Sequence, residues 1–140
     1  MTDTVSQSKR SEIMAKVKSK NTRPEITVRH ALHKAGFRFR LHRRDLPGSP
    51  DIVLPKRKTV IQVRGCFWHG HNCPRFRMPT SNQAYWMAKI DGNKKRDKKN
   101  DKLLKDLGWN VIVVWECGLR SKGHQKERLS NVISFLRENT

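Results

Sequence analysis

The segment at residues 65–73, which reads GCFWHGHNC, places two cysteines, two histidines and two adjacent large aromatics within nine positions. Thiolate and imidazole groups are the ligands that a tetrahedral zinc ion prefers. Cys66, His71 and Cys73 supply three such ligands, and Cys117 would complete a Cys₃His site with no open position, the arrangement of a structural zinc ion. We therefore predict that zinc orders this loop. The alternative is that Cys117 is simply a small buried residue at the end of a strand.

The chain is strongly basic, with 31 Lys and Arg against 12 Asp and Glu and a net charge of +19 over 140 residues. Such a charge attracts polyphosphates without reading base sequence, so composition also fits a ribosomal-type RNA binder. Neither a run of about 18 apolar residues nor an apolar signal segment is present. We therefore expect no membrane association and a cytoplasmic location, where thiols stay reduced.

The order of predicted elements indicates the fold class. Residues 1–10 are predicted to form a flexible basic N-terminus, and residues 11–140 a single domain. An α/β fold with helices around a mixed sheet is expected from the alternation of helical and β-branched segments. The predicted helices lie at residues 11–18, 22–36, 83–107 and 126–138, the second with an apolar stripe that includes Ile26, Val28 and Leu32; the predicted strands lie at residues 37–41, 51–54, 59–64 and 109–115, with a basic hairpin tip at residues 56–58.

Asp51 stands at the start of a predicted core strand, directly after Ser49 and Pro50. A buried carboxylate is costly unless it binds a cation or a hydrogen-bond donor. The paired strand ends at Val63-Arg64-Gly65, where main-chain carbonyls could share a cation with Asp51. Since oxygen ligands suit Mg²⁺, we predict a magnesium site at Asp51 and these carbonyls, that of Val63 among them. Asp is also common at turns, which is the simpler interpretation.

Several motifs follow one another along the chain in the order and spacing of a known family. They are Pro50-Asp51, the segment at residues 65–73, Trp86, Lys89, Asn93, Arg96-Asp97, and the run from Gly108-Trp109 to Cys117. With these motifs the chain resembles the very-short-patch-repair (Vsr) mismatch endonucleases, from about Ser11 to the last helix. The resemblance implies a restriction-endonuclease-like mixed β-sheet flanked by helices, with a structural zinc loop. It also implies Mg²⁺-dependent nicking of double-stranded DNA, 5′ to the thymine of a T·G mismatch left by deamination of 5-methylcytosine.

The resemblance implies catalytic roles for polar residues that the sequence alone interprets more simply. Asp51 would bind Mg²⁺, His69 would activate the attacking water, and Glu25 and Asp97 would hold water molecules of the metal. Nicking a phosphodiester needs such a Lewis acid and an oriented water. Taken alone, His69 could be a zinc ligand or a solvated histidine, Glu25 a helix cap in the Thr-x-x-Glu pattern, and Asp97 part of a surface ion pair.

The aromatic residues are implied to open the DNA. Phe67, Trp68 and Trp86 would insert beside the mismatch, and Met14 would enter from the opposite groove. Adjacent rings on a loop do not easily share one core, which favours exposed rings at Phe67 and Trp68 that unstack a base step. Trp86 could equally be a core residue, and a methionine such as Met14 is more often a core residue than one that inserts into DNA.

Two further sites concern base contacts and the phosphate. The resemblance implies that Lys89 and Asn93, one helical turn apart, face the mispaired bases; alone, they would be a solvated surface pair. The chain departs from the family pattern at Gln62-Val63-Arg64, where many members have an apolar residue, then Thr or Val, then His. Arg64 is a candidate contact to the scissile phosphate in place of that histidine.

Two functional hypotheses follow. The first is a nicking endonuclease for mismatched duplex DNA, and the second is a zinc-stabilised DNA-binding module without nuclease activity. Both use the basic surface and the Phe67-Trp68 pair, whereas only the first needs Asp51 and His69. We expect a monomer, and the resemblance implies a bacterial, nucleoid-associated protein with general mismatch-repair proteins as partners.

Overall fold

The structure is a computed structural model that describes residues 22–74 and 76–138. The predicted flexible segment at residues 1–10 and the predicted helix at residues 11–18, with Met14, lie outside these residues. The described secondary structure comprises helix α1 (Arg23–Lys34), strands β1 (Arg40–Leu41), β2 (Ile52–Leu54) and β3 (Thr59–Arg64), helix α2 (Gln83–Asp106), strand β4 (Asn110–Trp115) and helix α3 (Lys122–Glu138), with short 3₁₀ helices at Pro55–Arg57 and Glu116–Leu119.

The four strands form one mixed sheet in the order β1-β2-β3-β4. β1, β2 and β3 pair antiparallel, whereas β3 and β4 pair parallel. A parallel pair needs a long crossover connection, and α2 lies within the one between β3 and β4. In this register Arg64 lies opposite Trp115, so the segments that carry Cys66 and Cys117 leave the sheet side by side.

Helices cover both faces of the sheet, which confirms the predicted mixed α/β architecture. Leu32 of α1 and Leu136 of α3 pack with Ile61 on one face, and Leu104 of α2 packs with Val60 on the other. These leucines are at most 1% exposed. Burial of each stabilises the fold by about 1.5–3 kcal/mol. β2 lies between β1 and β3 in the sheet and between the two helix layers, so all three of its residues are buried. Asp51 directly precedes this buried strand.

Helix α1 begins with the predicted cap and buries a different stripe from the one expected. Thr22 Oγ1 accepts a hydrogen bond from the Glu25 main-chain N–H at 3.4 Å, with Pro24 in the first turn. The buried residues are Glu25, Val28 and Leu32, while Ile26 is 39% exposed. The prediction that Ile26 belongs to the apolar stripe was therefore wrong, because a carboxylate occupies the inward position one turn before Val28.

Other element boundaries differ where tertiary contacts decide them. The predicted strand at residues 37–41 is reduced to Arg40–Leu41, because Phe37 follows the helix end into the core, with its N–H bonded to Leu32 O. The predicted hairpin tip is a 3₁₀ turn that ends at Lys58 in a left-handed conformation, with φ +49°. Helix α3 begins at Lys122 rather than Lys126, and Ser121 Oγ accepts from the His124 N–H there.

The remaining predicted strands and the helix at residues 83–107 are confirmed to within one residue. Across residues 22–74 and 76–138, none of the helices has the length and apolar character needed to span a bilayer.

Candidate active site and metal centre

Asp51 lies at the entrance to β2 and is held against the end of β3. Its Oδ2 accepts a hydrogen bond from the Val63 N–H at 2.8 Å. Burial raises the pKa of Asp51 to about 6, and the hydrogen bond from Val63 acts in the opposite direction. The Glu25 carboxylate also raises this pKa, whereas His42 and His69 lower it. A partly desolvated carboxylate beside a second one is an environment that a cation stabilises.

Glu25 of α1 completes a three-residue cluster with Asp51 and His42. The Glu25 side chain is 3% exposed; its Oε1 accepts from Arg29 Nη2 at 2.8 Å and lies 2.5 Å from His42 Nε2. The ligand atoms of Glu25, His42 and Asp51 all lie within 4.8 Å of one another, so these residues could hold a metal ion. The alternative role of Glu25 as a helix-cap residue applies to its main chain only. Its N–H donates to Thr22 Oγ1, while its side chain faces the cluster.

His42 was missed by the sequence analysis. It lies in the segment RLHRRD, where a histidine among arginines is typical of a basic surface loop. The local sequence carries no spacing that links it to Glu25, 17 positions earlier, or to Asp51. The folded chain brings it into the cluster, because β1 pairs with β2 and the His42 N–H bonds to Asp51 O at 3.1 Å.

A second polar group joins the segment after β3 to helix α2. His69 Nδ1 lies 2.5 Å from Asp97 Oδ2. Arg64 Nη2 donates to Asp101 Oδ1 at 2.7 Å, and Arg64 Nε lies 3.8 Å from Asp97 Oδ2. The alternative for Asp97 was an ion pair on the exposed surface. Asp97 is instead half-buried and pairs with His69 and Arg64, which lie on other segments of the chain. Asp101 was also missed, since its Lys-rich surroundings resemble a solvated helix face.

Cys66, His71, Cys73 and Cys117 form a cluster that could hold a metal ion, with all four ligand atoms within 4.8 Å of one another. Cys117 Sγ lies 3.6 Å from His71 Nδ1. Zinc bonds of about 2.3 Å to sulfur and about 2.0–2.1 Å to nitrogen give a tetrahedral S–N separation of about 3.6 Å, so the donor set fits this ion. Burial raises the pKa of the Cys66 thiol to about 12, and a cation would reverse that shift. The cluster contains His71 rather than His69, which leaves His69 available for its pair with Asp97.

Trp115, at the end of β4, contacts both histidines. Its ring is stacked on His71, with centroids 4.0 Å apart and 11° between the planes. His69 meets the same indole edge-on, with centroids 6.4 Å apart. The Cys/His cluster and the His69–Asp97 pair are therefore connected through one rigid side chain.

Phe67, Trp68 and Trp86 form an aromatic cluster in which the ring centroids lie 5.3–5.9 Å apart. Trp68 is 9% exposed. The expectation that Phe67 and Trp68 would both be exposed was therefore wrong for Trp68, because the first turns of α2 supply Trp86 as a packing partner. Phe67 and Trp86 are half-buried.

Asn93 is 3% exposed, and its Nδ2 donates to the main-chain oxygen of Trp68 at 2.8 Å. Its Oδ1 accepts from Arg96 Nη2. Lys89, one turn earlier on α2, is half-buried, and its ammonium group lies 5.9 Å from the Tyr85 ring centroid. The alternative of a solvated surface pair is therefore wrong for Asn93, which anchors the aromatic segment to α2.

Comparison with known proteins places these features in one family. The family model of the DNA mismatch endonuclease Vsr matches residues 2–75. The chain belongs to the Vsr family. This membership confirms the resemblance drawn from the motifs.

Relatives in the Vsr family extend over most of the chain. The Type II nicking enzyme V.XorIIP of Xanthomonas oryzae pv. oryzae is 50% identical over 133 residues, covering 95% of this chain and 98% of the relative. The Type II nicking enzyme V.NmeAIP of Neisseria meningitidis serogroup A is 46% identical over 138 residues, or 99% of both chains. The DNA mismatch endonuclease Vsr of Escherichia coli K12 is 37% identical over 122 residues, covering 87% of this chain and 78% of the relative. Family and relatives together support DNA endonuclease activity for this chain.

Proposed function

We propose that this Vsr-family endonuclease nicks one strand of duplex DNA, 5′ to the thymine of a T·G mismatch, in a Mg²⁺-dependent reaction that starts very short patch repair. The observation that carries the proposal is the position of the half-buried Asp51 carboxylate, which is bonded to the end of β3 and lies near Glu25 and His69, two groups that shift its pKa in opposite directions. A net charge of +19 supports binding to a polyanionic backbone. A restriction-endonuclease-like fold agrees with the β2–β3 hairpin that carries Asp51 and the helices on both faces.

The reaction requires charge stabilisation and proton transfer at the scissile phosphate. A magnesium ion held by Asp51 and the Val63 main chain would offset the negative charge that develops on the phosphate oxygens. Asp97 accepts from His69 Nδ1 and fixes the ring in the tautomer whose Nε2 can take a proton from the attacking water. Glu25, held by Arg29, would face the same ion and its water molecules.

Arg64 acts in this proposal through Asp97 rather than on the phosphate. Its side chain is 9% exposed, and it is paired with Asp101 and close to Asp97. Two carboxylates offset its charge, so it serves to keep Asp97 fixed against His69. The prediction that Arg64 contacts the scissile phosphate is replaced here by this supporting role.

Zinc is the ion proposed for Cys66, His71, Cys73 and Cys117. Three thiolates and one imidazole suit a closed tetrahedral site, and the 3.6 Å separation of Cys117 Sγ and His71 Nδ1 fits it. With an ion bound, these four residues would order the segment that carries the aromatic residues and His69. Trp115, which stacks on His71 and meets His69 edge-on, would then hold one edge of the proposed catalytic histidine.

Mismatch recognition is assigned to the aromatic cluster. Phe67 and Trp86, whose rings are half-buried, would insert into the base stack with the buried Trp68 packed behind them, and Met14 would enter from the opposite groove. Unstacking costs a few kcal/mol per step and less at a mismatch, which makes insertion selective. Lys89 would face the mispaired bases, whereas the buried Asn93 would support this surface by holding the Trp68 main chain.

The setting of the reaction is part of the same proposal. Because the lesion is asymmetric and one strand is cut, we expect the protein to act as a monomer. Its substrate places it at the bacterial nucleoid, with general mismatch-repair proteins as partners.

The decisive experiment compares T·G-mismatched and matched duplexes with Mg²⁺ or EDTA. We expect nicking of the mismatched duplex alone, only with Mg²⁺, and no nicking by Asp51→Ala. Asp106→Ala, which removes an exposed carboxylate near the end of α2, is the matched control and should nick normally. Tight mismatch binding without cleavage under any divalent metal would support the alternative of a zinc-stabilised binding module.

A further inference from the structure

His42 has a backbone conformation that residues with a side chain rarely adopt. Its φ of +46° lies in the left-handed region, where the Cβ atom approaches the following carbonyl oxygen. Its N–H donates to Asp51 O at 3.1 Å, which fixes this turn against the start of β2. Such a conformation persists only where surrounding contacts enforce it, and it is frequent at functional sites.

The turn directs the imidazole into the carboxylate cluster. His42 Nε2 lies 2.5 Å from Glu25 Oε1, and its side chain is 17% exposed. The ligand atoms of Glu25, His42 and Asp51 lie within 4.8 Å of one another and come from three separate segments: helix α1, the turn after β1 and the entrance to β2. Two carboxylates and one imidazole therefore converge on a single small volume.

This donor set differs from the all-oxygen set that Mg²⁺ prefers. Imidazole nitrogen binds later first-row ions more strongly than Mg²⁺, whereas carboxylate oxygen binds both kinds. Mn²⁺ takes carboxylate oxygen in octahedral geometry as Mg²⁺ does, and as a first-row transition ion it gains more from a nitrogen ligand than Mg²⁺ does. A site with one imidazole should therefore discriminate in favour of Mn²⁺.

We propose that His42 is a ligand of the divalent-metal site, together with Asp51 and Glu25, and that its imidazole makes the site bind Mn²⁺ more tightly than Mg²⁺. This rests on the proposed function in one respect, which is that Asp51 holds the metal. Binding of the ion replaces the His42–Glu25 contact with two metal–ligand bonds. His42 then touches the metal directly and does not merely orient Glu25.

The test measures metal binding rather than nicking. The full chain, with its Cys/His cluster first saturated with zinc, is titrated with Mn²⁺ while free Mn²⁺ is followed by electron paramagnetic resonance, and Mg²⁺ affinity is obtained by competition. His42→Gln is the informative variant, because its amide can still hydrogen-bond to Glu25 but offers oxygen in place of ring nitrogen. His30→Ala, which removes an exposed histidine of α1, is the control.

We expect His42→Gln to weaken Mn²⁺ binding by about tenfold or more while Mg²⁺ binding changes much less. The nitrogen hyperfine coupling of bound Mn²⁺ should be lost in His42→Gln and kept in His30→Ala. Equal weakening of both ions would overturn the proposal, since it would make His42 a positioning residue for Glu25. Unchanged Mn²⁺ affinity and an unchanged nitrogen signal would also overturn it.

The result is separable from the nicking experiment. If the wild-type chain binds Mn²⁺ through His42 but does not cut T·G duplexes, the metal site stands and the proposed function fails. If the chain cuts T·G duplexes and the nitrogen signal is independent of His42, the function stands and this inference fails. Melting curves of His42→Ala show whether removal of the side chain affects folding. If that variant is unstable, the metal titration of His42→Gln decides the question.

Discussion

His69 Nδ1 lies 2.5 Å from Asp97 Oδ2, so that a residue in the segment after β3 and a residue in the middle of α2 form one pair across 28 positions of sequence. The same Asp97 oxygen lies 3.8 Å from Arg64 Nε at the end of β3. The orientation of the proposed catalytic base therefore depends on how α2 packs across the sheet.

Asp97→Asn should lower the rate of nicking without weakening DNA binding. An amide cannot hold the His69 tautomer as a carboxylate does, and a positioned general base contributes about 10²–10⁴-fold to a rate. We expect a loss of about 10²-fold or more in single-turnover nicking of a T·G duplex. Asp106→Asn, an exposed acid on the same helix, is the control. Equal rates for Asp97→Asn and the wild type would contradict a role for the pair.

Asp101→Asn tests whether Arg64 supports Asp97 or contacts the phosphate. The 2.7 Å bond from Arg64 to Asp101 is the charge-assisted bond of a nearly buried guanidinium. Its loss should lower the free energy of unfolding by about 1–3 kcal/mol and reduce the nicking rate, with the Kd for DNA unchanged. Urea denaturation and single-turnover assays measure these quantities. Tighter DNA binding by Asp101→Asn would instead mean that the released Arg64 reaches a phosphate.

Zinc removal should destabilise the protein and slow catalysis together. We expect one zinc per chain by elemental analysis, and a lower melting temperature for Cys117→Ala, because the cluster connects the ends of β3 and β4. The nicking rate should fall as well, since His71 stacks on the Trp115 ring that His69 touches. Folded protein without stoichiometric metal, or unchanged melting of Cys117→Ala, would refute the zinc site.

The stability of the metal-free protein should depend on pH through Asp51. Its folded-state pKa of about 6 lies above the ordinary value of 3.8, so the folded state binds the proton more tightly than the unfolded state does. The favourable contribution of the protonated carboxyl is complete below pH 3.8 and is lost as the pH rises to about 6.

Asp51→Asn should therefore be more stable than the wild type above about pH 6, by at most about 3 kcal/mol, and similar to it near pH 3.8. Urea denaturation with EDTA across this range measures the difference. Mg²⁺ should remove the advantage of Asp51→Asn by stabilising the wild type alone. A difference that does not vary with pH would mean that Asp51 titrates normally.

Local patterns predicted elements whose boundaries depend on neighbouring residues. The strands at residues 59–64 and 110–115 are β-branched runs, the first followed by Gly65 and the second preceded by Gly108 two positions earlier, so their ends agree with the prediction to within one residue. The strand expected at residues 37–41 has the same alternating pattern, yet only Arg40 and Leu41 find partners, opposite Val53 and Ile52. The alternation of apolar and polar residues shows which face of the sheet each side chain takes. The length of a strand depends instead on how many of its residues pair with the neighbouring strand.

The sequence by itself determined membership of the Vsr family, and it predicted that Cys66, His71, Cys73 and Cys117 lie together and that Asp51 opens a core strand, because residue type and local pattern carry this information along the chain. Only the tertiary structure brought His42 to Glu25 and Arg64 to Asp101, and buried Trp68 beneath Asn93 and Trp86. These contacts join segments between 17 and 37 positions apart, or depend on the face that α2 turns toward the sheet. Such distances are set by the packing of helices on strands, which short-range sequence patterns do not specify.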